Sequence, residues 1–212
     1  MNYSKAQFFD TQVGEPWAAA DYTIEERTKI AGIIEVAGLR SGMRILQPGC
    51  GTGRLTAILA DLVGPTGRVV APDISKGMLE ACRKRMRGRE NVRLINAGIE
   101  DLENDCDGFD LVICHQVYPH FDNKREVTKK LATALKLSGK MVVSHLMNSA
   151  WINDVHRKAH PVILDDLIPH AEEMERIFSR AGLKIDLLQD NEEGYLLLAT
   201  PHDQLDCGVG GL

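Results

Sequence analysis

The chain has 212 residues, 44% hydrophobic and 26% charged, which is enough apolar mass for one α/β domain with an added cap. Its net charge of −5 gains nothing from releasing phosphate counterions, so neither a dedicated nucleic-acid binder nor a nucleic-acid partner is expected. No apolar run is long enough to span a bilayer, MNYSKAQFFD lacks a signal peptide's apolar core, and the five cysteines show no CxxC spacing. A cytoplasmic chain without a disulfide scaffold or zinc ribbon is expected.

In chain order, residues 1–38 read as an N-terminal helical cap. Thr23 and Glu26 have the form of a capping box, and Ile30, Ile33, Ile34 and Ala37 follow at helical spacing. From Gly42, strands and helices alternate. MRILQ is a strand, then Leu55, Ile58, Leu59 and Leu62 keep a helical period until GPTG (64–67) stops it. RVVAPD is a second strand, followed by a helix through Met78, Leu79, Cys82 and Met86. The basic run CRKRMRGR (82–89) in this stretch reads as a solvated helix face. VRLIN (92–96) and FDLVIC (109–114) are the third and fourth strands. A helix around Val127, Leu131 and Leu135 then leads through KLSGK to a fifth strand, KMVVSHL (140–146).

This alternation predicts a parallel sheet covered on both faces. Residues 147–170 exceed an ordinary connection and read as a cap insertion, and a helix follows at about 170–181. LKIDLLQ, DNEEG and YLLLAT then form an antiparallel hairpin, ending a main domain over 39–202. The Gly-rich stretch 203–212 reads as a flexible tail.

ILQPGCGTGR (45–54) places Gly49, Gly51 and Gly53 directly after the first strand. Residues without a Cβ bend through positive φ and let a ligand approach the main chain. Asp73 ends the second strand, where a carboxylate can accept hydrogen bonds from both hydroxyls of an adenosine ribose. Its alternative role is helix capping beside Ser75. A dinucleotide loop of the form G-x-G-x-x-G would need glycine at Arg54, so that register is broken.

With ILQPGCGTGRLT, APDISKGMLEACRKR, GFDLVICHQVYPHF and LATALKLSGKMVVSH in place, residues 42–200 resemble the class I S-adenosylmethionine-dependent methyltransferases. The likeness is nearest to the small-molecule group that includes ubiquinone and menaquinone biosynthesis enzymes. The resemblance implies a Rossmann-like, doubly wound, seven-stranded sheet, mostly parallel with an antiparallel last strand, in agreement with the hairpin. It also implies S-adenosylmethionine as cofactor and a small-molecule acceptor methylated at O, N, S or C.

Carried over residue by residue, the cofactor contacts are Gln47, Gly49, Cys50, Gly51, Gly53, Asp73, Ile74, Met78, Gly98, Ile99, Glu100 and His115. The family usually has Asp where Gln47 stands, a hydrophobic residue where Pro48 stands, and often an acidic or amide residue where Gly98 stands. Gln47 still accepts a hydrogen bond but carries no charge for the methionyl ammonium. Ile99 is expected on the adenine, with Glu100 or Asp101 supplying a polar contact. These departures support a second reading, a non-catalytic protein binding S-adenosylmethionine or S-adenosylhomocysteine. A nicotinamide oxidoreductase is a third reading, opposed by the glycine register and the hairpin.

Methyl transfer needs an aligned acceptor, excluded water and, for some acceptors, a base. His115, His120 and His145 stand at or beside strand ends as candidate bases, since imidazole titrates near neutrality. His156 lies nearby, and Tyr118 is a candidate for orienting an acceptor. HRKAH (156–160) has the spacing of a metal pair, which Asp165 or Asp166 and His170 could complete. A metalloprotease's glutamate is missing and Pro161 ends the helix, so no metal is expected. Phe8, Phe9, Trp17, Trp151 and Ile152 are expected either to roof a pocket for a flat or hydrophobic acceptor or to pack as plain roof.

Overall fold

Apolar runs at the central strand positions, such as Val69–Ala71, Leu111–Cys114 and Met141–Val143, are buried on both sides, as parallel strands under two helical layers must be. The computed structural model describes residues 1–103 and 107–202, and the tail expected over 203–212 lies outside the described residues. The five parallel strands are β1 (Arg44–Leu46), β2 (Arg68–Asp73), β3 (Val92–Asn96), β4 (Phe109–His115) and β5 (Leu135–His145). β6 (Leu183–Asn191) and β7 (Gly194–Pro201) form the hairpin, with β7 antiparallel to both β5 and β6. The sheet order is β3-β2-β1-β4-β5-β7-β6.

Alternate residues on each strand feed two cores. Ile45, Leu111, Ile113 and Val142 meet α3 (Ile24–Ala37), α4 (Arg54–Val63) and α5 (Lys76–Arg85) through Ile30, Ile33, Leu59, Val63 and Cys82. Leu46, Val112, Cys114 and Val143 face α6 (Lys124–Thr133) and α8 (Ala171–Arg180) through Val127, Leu131, Met174 and Phe178. Each fully buried side chain of this size contributes about 1.5–3 kcal/mol.

The capping box of α3 forms as read: Thr23 Oγ1 accepts from the Glu26 amide, and the Thr23 amide donates 2.7 Å to Glu26 Oε2. One expectation is corrected. Leu135 belongs not to the helix but to β5, because the Phe109 amide donates 2.8 Å to Ala134 and Leu135 pairs with Phe109. KLSG then bulges out before Lys140 resumes pairing at Leu111.

The chain before β1 crosses the sheet's C-terminal edge as α1 (Tyr3–Thr11) and α2 (Pro16–Ala19). Asp10 fixes it there: Oδ1 accepts from the Ser75 hydroxyl at 2.6 Å and the Gly77 amide at 2.8 Å, placing a carboxylate at the positive end of α5. The segment 147–170 contributes α7 (Ser149–Arg157) and an irregular return. No helix among the described residues is long and apolar enough to cross a membrane.

Candidate functional site

β1 lies between β2 and β4, so connections leave it in opposite directions and a crevice opens beyond its C-terminal end. The crevice is the mouth of a cavity of about 910 Å³. Gly49, Gly51 and Gly53 all have positive φ, at 61°, 55° and 85°. At Gly49 a Cβ would lie 2.2 Å from Val117 Cγ2, so the turn after β1 fits against the turn after β4 only without a side chain. At Gly51 a Cβ would meet nothing within 4 Å: its missing side chain leaves open space on the cavity wall. Gln116, just past β4 and also lining the cavity, has φ of 55°, a costly conformation for a non-glycine residue.

Asp73 continues this wall beside Gly51. Its Oδ2 accepts from the Gly51 amide at 2.8 Å and its Oδ1 from the Ser75 amide at 2.8 Å, tying the β2 tip to the glycine turn. Burial pushes its carboxyl up from 3.8 to about 6, with the backbone donors offsetting part of the shift. Ile74, Met78, Gly98, Ile99 and Glu100 continue the same wall. Arg54 also lines the cavity; its guanidinium lies 3.8 Å from the Tyr22 ring centroid and binds the Trp17 carbonyl and, at 3.3 Å, Glu26.

The remainder of the cavity is roofed by Phe8, Phe9, Trp17, Trp151, Ile152 and Ile163, with His120, His145 and His156 set among them. His145 Nε2 is buried with no hydrogen-bond partner, and burial holds the ring well below its ordinary pKa, so it is neutral. His120 is likewise pushed down by burial, although Asp166 opposes the shift.

A family model for the methyltransferase domain matches residues 39–196. The chain belongs to the methyltransferase-domain family. This methyltransferase domain is 32% identical over 158 residues to the ubiquinone/menaquinone biosynthesis C-methyltransferase UbiE of Pseudomonas entomophila, covering 70% of this chain and 61% of that one. It is 33% identical over 139 residues to the Shewanella oneidensis protein of that name, covering 64% and 55%. The chain thus spans about three fifths of the length of these curated relatives.

Its fold is shared with a SAM-dependent methyltransferase of Aquifex aeolicus at a TM-score of 0.67 and 16% identity, over 95% of this chain and 99% of that one. It is shared too with magnesium protoporphyrin IX methyltransferase of Synechocystis, crystallised with bound SAH, at 0.68 and 15%, over 94% and 98%.

Of the residues singled out in the sequence, the methyltransferase domain brings Gly49, Gly51, Asp73, Ile74, Met78, Gly98, Ile99, Glu100, His120 and His145 onto one cavity. Gln47, Cys50, Gly53 and His115 lie behind its wall. The Cys50 thiol points to the Ala71 carbonyl within the core, and a Cβ on Gly53 would fall 2.6 Å from Cys82 Sγ, so the absent side chain there serves packing. Gln47 is 2% exposed, and its Oε1 has no partner among the described residues. His115 Nδ1 lies 2.9 Å from Ser144 Oγ, while burial and the Arg54 charge push its pKa to about 4.

Two expectations are corrected. Tyr118 is fully buried, its hydroxyl 2.8 Å from Thr128 Oγ1, and cannot reach an acceptor. His156 and His160 do not share a helix, because α7 ends at Arg157. His160 instead accepts from the Val162 amide and stacks on Phe8. Among the described residues no group of three or more His, Cys, Asp or Glu could hold a metal ion. Lys5 and Arg54 were not singled out by the sequence. Arg54 directly follows the glycine turn, which was a usable signal, whereas nothing local marks Lys5.

Proposed function

We propose that this methyltransferase domain binds S-adenosylmethionine in the crevice and moves its methyl group to a small-molecule acceptor held under the roof. The observation that carries this reading is the joint wall of Gly51 and Asp73, an open, Cβ-free turn bonded to a buried carboxylate beside the sheet's switch point. The residues present fit the cofactor. The space over Gly51 admits a ligand against the main chain, and Asp73 has lone pairs left for ribose hydroxyls. Ile74, Met78 and Ile99 offer an apolar slot for a base, with Glu100 at its edge.

The bound cofactor supplies a methyl group already activated on a sulfonium. The chain has to orient, exclude water and manage protons. Arg54 presents a cation to the cofactor's carboxylate end, with the neutral Gln47 behind it. The aromatic roof keeps water from the transfer and fixes the acceptor in line. We assign residues 1–38 and about 147–170 to the roof, and 39–202 to the cofactor-binding unit. A cytoplasmic setting suits the free buried thiols of Cys50, Cys82 and Cys114.

Calorimetric titration tests the reading: S-adenosylhomocysteine and S-adenosylmethionine bind and NAD does not. Tight NAD binding without them overturns it. A non-catalytic binder is the second reading, favoured by the uncharged Gln47. Release of S-adenosylhomocysteine when S-adenosylmethionine is incubated with an acceptor panel separates the two.

A further inference from the structure

Three segments far apart in the chain meet at one buried carboxylate. Asp166, in the return after α7, accepts from Lys5 Nζ at 2.6 Å on Oδ1 and lies 2.8 Å from His120 Nδ1 on Oδ2. Lys5 from α1 is buried and spends its remaining donors on Asp122 Oδ1 at 2.7 Å and the His120 carbonyl at 2.8 Å. Burial raises the Asp166 pKa, but the hydrogen bonds and charges of His120 and Lys5 more than offset this, so the group is ionised and can only accept.

The proton between the pair therefore sits on His120 Nδ1, and Nε2 carries the lone pair. His120 lines the cavity, held at the ring edge by Phe9. The same segment fixes a second ring. The Asp166 carbonyl accepts from His156 Nδ1, and the two imidazole centroids are 5.0 Å apart. With Nδ1 engaged in each, only Nε2 is left for a ligand.

Resting on the methyl-transfer reading, we propose that His120 is the general base for an acceptor carrying an ionisable hydroxyl or thiol. Asp166, pinned by Lys5, is the positioning residue that sets its tautomer. The acceptor's O–H or S–H bond breaks and its proton passes to Nε2. The freed electron pair forms the bond to the methyl carbon, and the pair of the methyl–sulfur bond stays on sulfur. The positive charge moves from sulfonium to imidazolium, where Asp166 faces it, and the ring returns its proton to water. The charged and titratable groups around His120 are Asp166 and His156 from the insertion, Lys5 from α1, Asp122 just before α6, Lys124 at its first position, and His145 from β5.

The test uses the intact chain with 4-nitrophenol as probe, read by the absorbance of its anion, with and without S-adenosylhomocysteine. The wild-type chain is expected to raise the anion fraction severalfold below the probe's solution midpoint. His120→Gln abolishes the rise with S-adenosylhomocysteine affinity unchanged. Nitrogen NMR of the histidines reads the tautomer that Asp166 sets: His120 is Nδ1-protonated in the wild type and loses that fixed tautomer in Asp166→Asn, and the anion rise, which a purely structural contact would leave in place, falls with it. Should Asp166→Asn not fold, His120→Gln decides, since its amide still donates to Asp166.

No anion rise in the wild type, or an equal rise in His120→Gln, overturns the proposal. Failure of S-adenosylhomocysteine to bind the wild type instead overturns the methyl-transfer reading, and the two failures are told apart because the probe signal is also taken without it.

Discussion

The Gly51 amide donates a 2.8 Å hydrogen bond to Asp73 Oδ2, joining the tip of β1 to the tip of β2 across the cavity's rim. The same carboxylate thus orders the glycine turn and faces the space that the turn leaves open. Replacing Asp73 with Ala removes both contributions. S-adenosylhomocysteine affinity is expected to fall about 10- to 100-fold, the equivalent of about 1.5–3 kcal/mol for hydrogen bonds to a charged group. Calorimetry on a variant with native circular dichroism checks this, and unchanged affinity removes Asp73 from the site.

Acid should weaken the same binding. Burial raises the Asp73 pKa to about 6, and only the ionised carboxylate accepts from two hydroxyls through both oxygens. Affinity is therefore full above that value and falls as pH drops through it, about tenfold weaker near pH 5. A flat profile from pH 7 to 5 would show that the carboxylate does not meet the ligand.

Two glycines of one turn should respond differently to a methyl group. Gly49→Ala drives Cβ to 2.2 Å from Val117 Cγ2 at φ of 61°, and is expected to cost about 2–4 kcal/mol of stability in urea unfolding. Gly51→Ala meets no neighbour within 4 Å and pays only the positive-φ strain, about 1–2 kcal/mol. Its methyl enters the cavity, however, so S-adenosylhomocysteine affinity falls about tenfold or more, 1.4 kcal/mol or above. Equal effects of the two variants on both readouts would contradict this assignment.

His115 should make the fold acid-labile. Its pKa in the folded chain is about 4 against an ordinary 6.5, so the unfolded chain binds the proton first and stability is lost as pH falls between those values. The loss amounts to roughly 3 kcal/mol by pH 4. Asp73, raised from 3.8 to about 6, acts in the opposite sense over much of that window. His115→Gln is therefore expected to flatten the fall of urea-unfolding free energy from pH 6.5 to 4. An unaltered slope would mean that His115 is not neutral and buried in solution.

Most of the fold and the glycine-turn wall of the cavity were legible along the chain because both are built from local pattern. RVVAPD and VRLIN are strands at the bounds read from sequence, the Thr23–Glu26 box caps its helix, and the hairpin closes the sheet. Gly49, Gly51 and Asp73 sit at strand tips, and a parallel sheet aligns all such tips along one edge, so their meeting followed from topology. Leu135 departs from its local pattern because the helical period continues past Ala134, while the backbone bond from Phe109, which fixes the strand, is a long-range contact.

What the tertiary structure alone decided is the polar cluster under the roof. Lys5, His120 and Asp166 share one hydrogen-bonded cluster although the lysine and the aspartate are 161 residues apart, and no local period encodes such a distance. Equally, Tyr118 and His120 lie two residues apart in one turn, yet the first is fully buried against Thr128 and the second lines the cavity. The sequence determined that the chain carries a glycine turn and an acid at neighbouring strand ends. Which histidine gains a carboxylate partner depends on how the roof packs over the sheet, because burial and hydrogen bonding act through space.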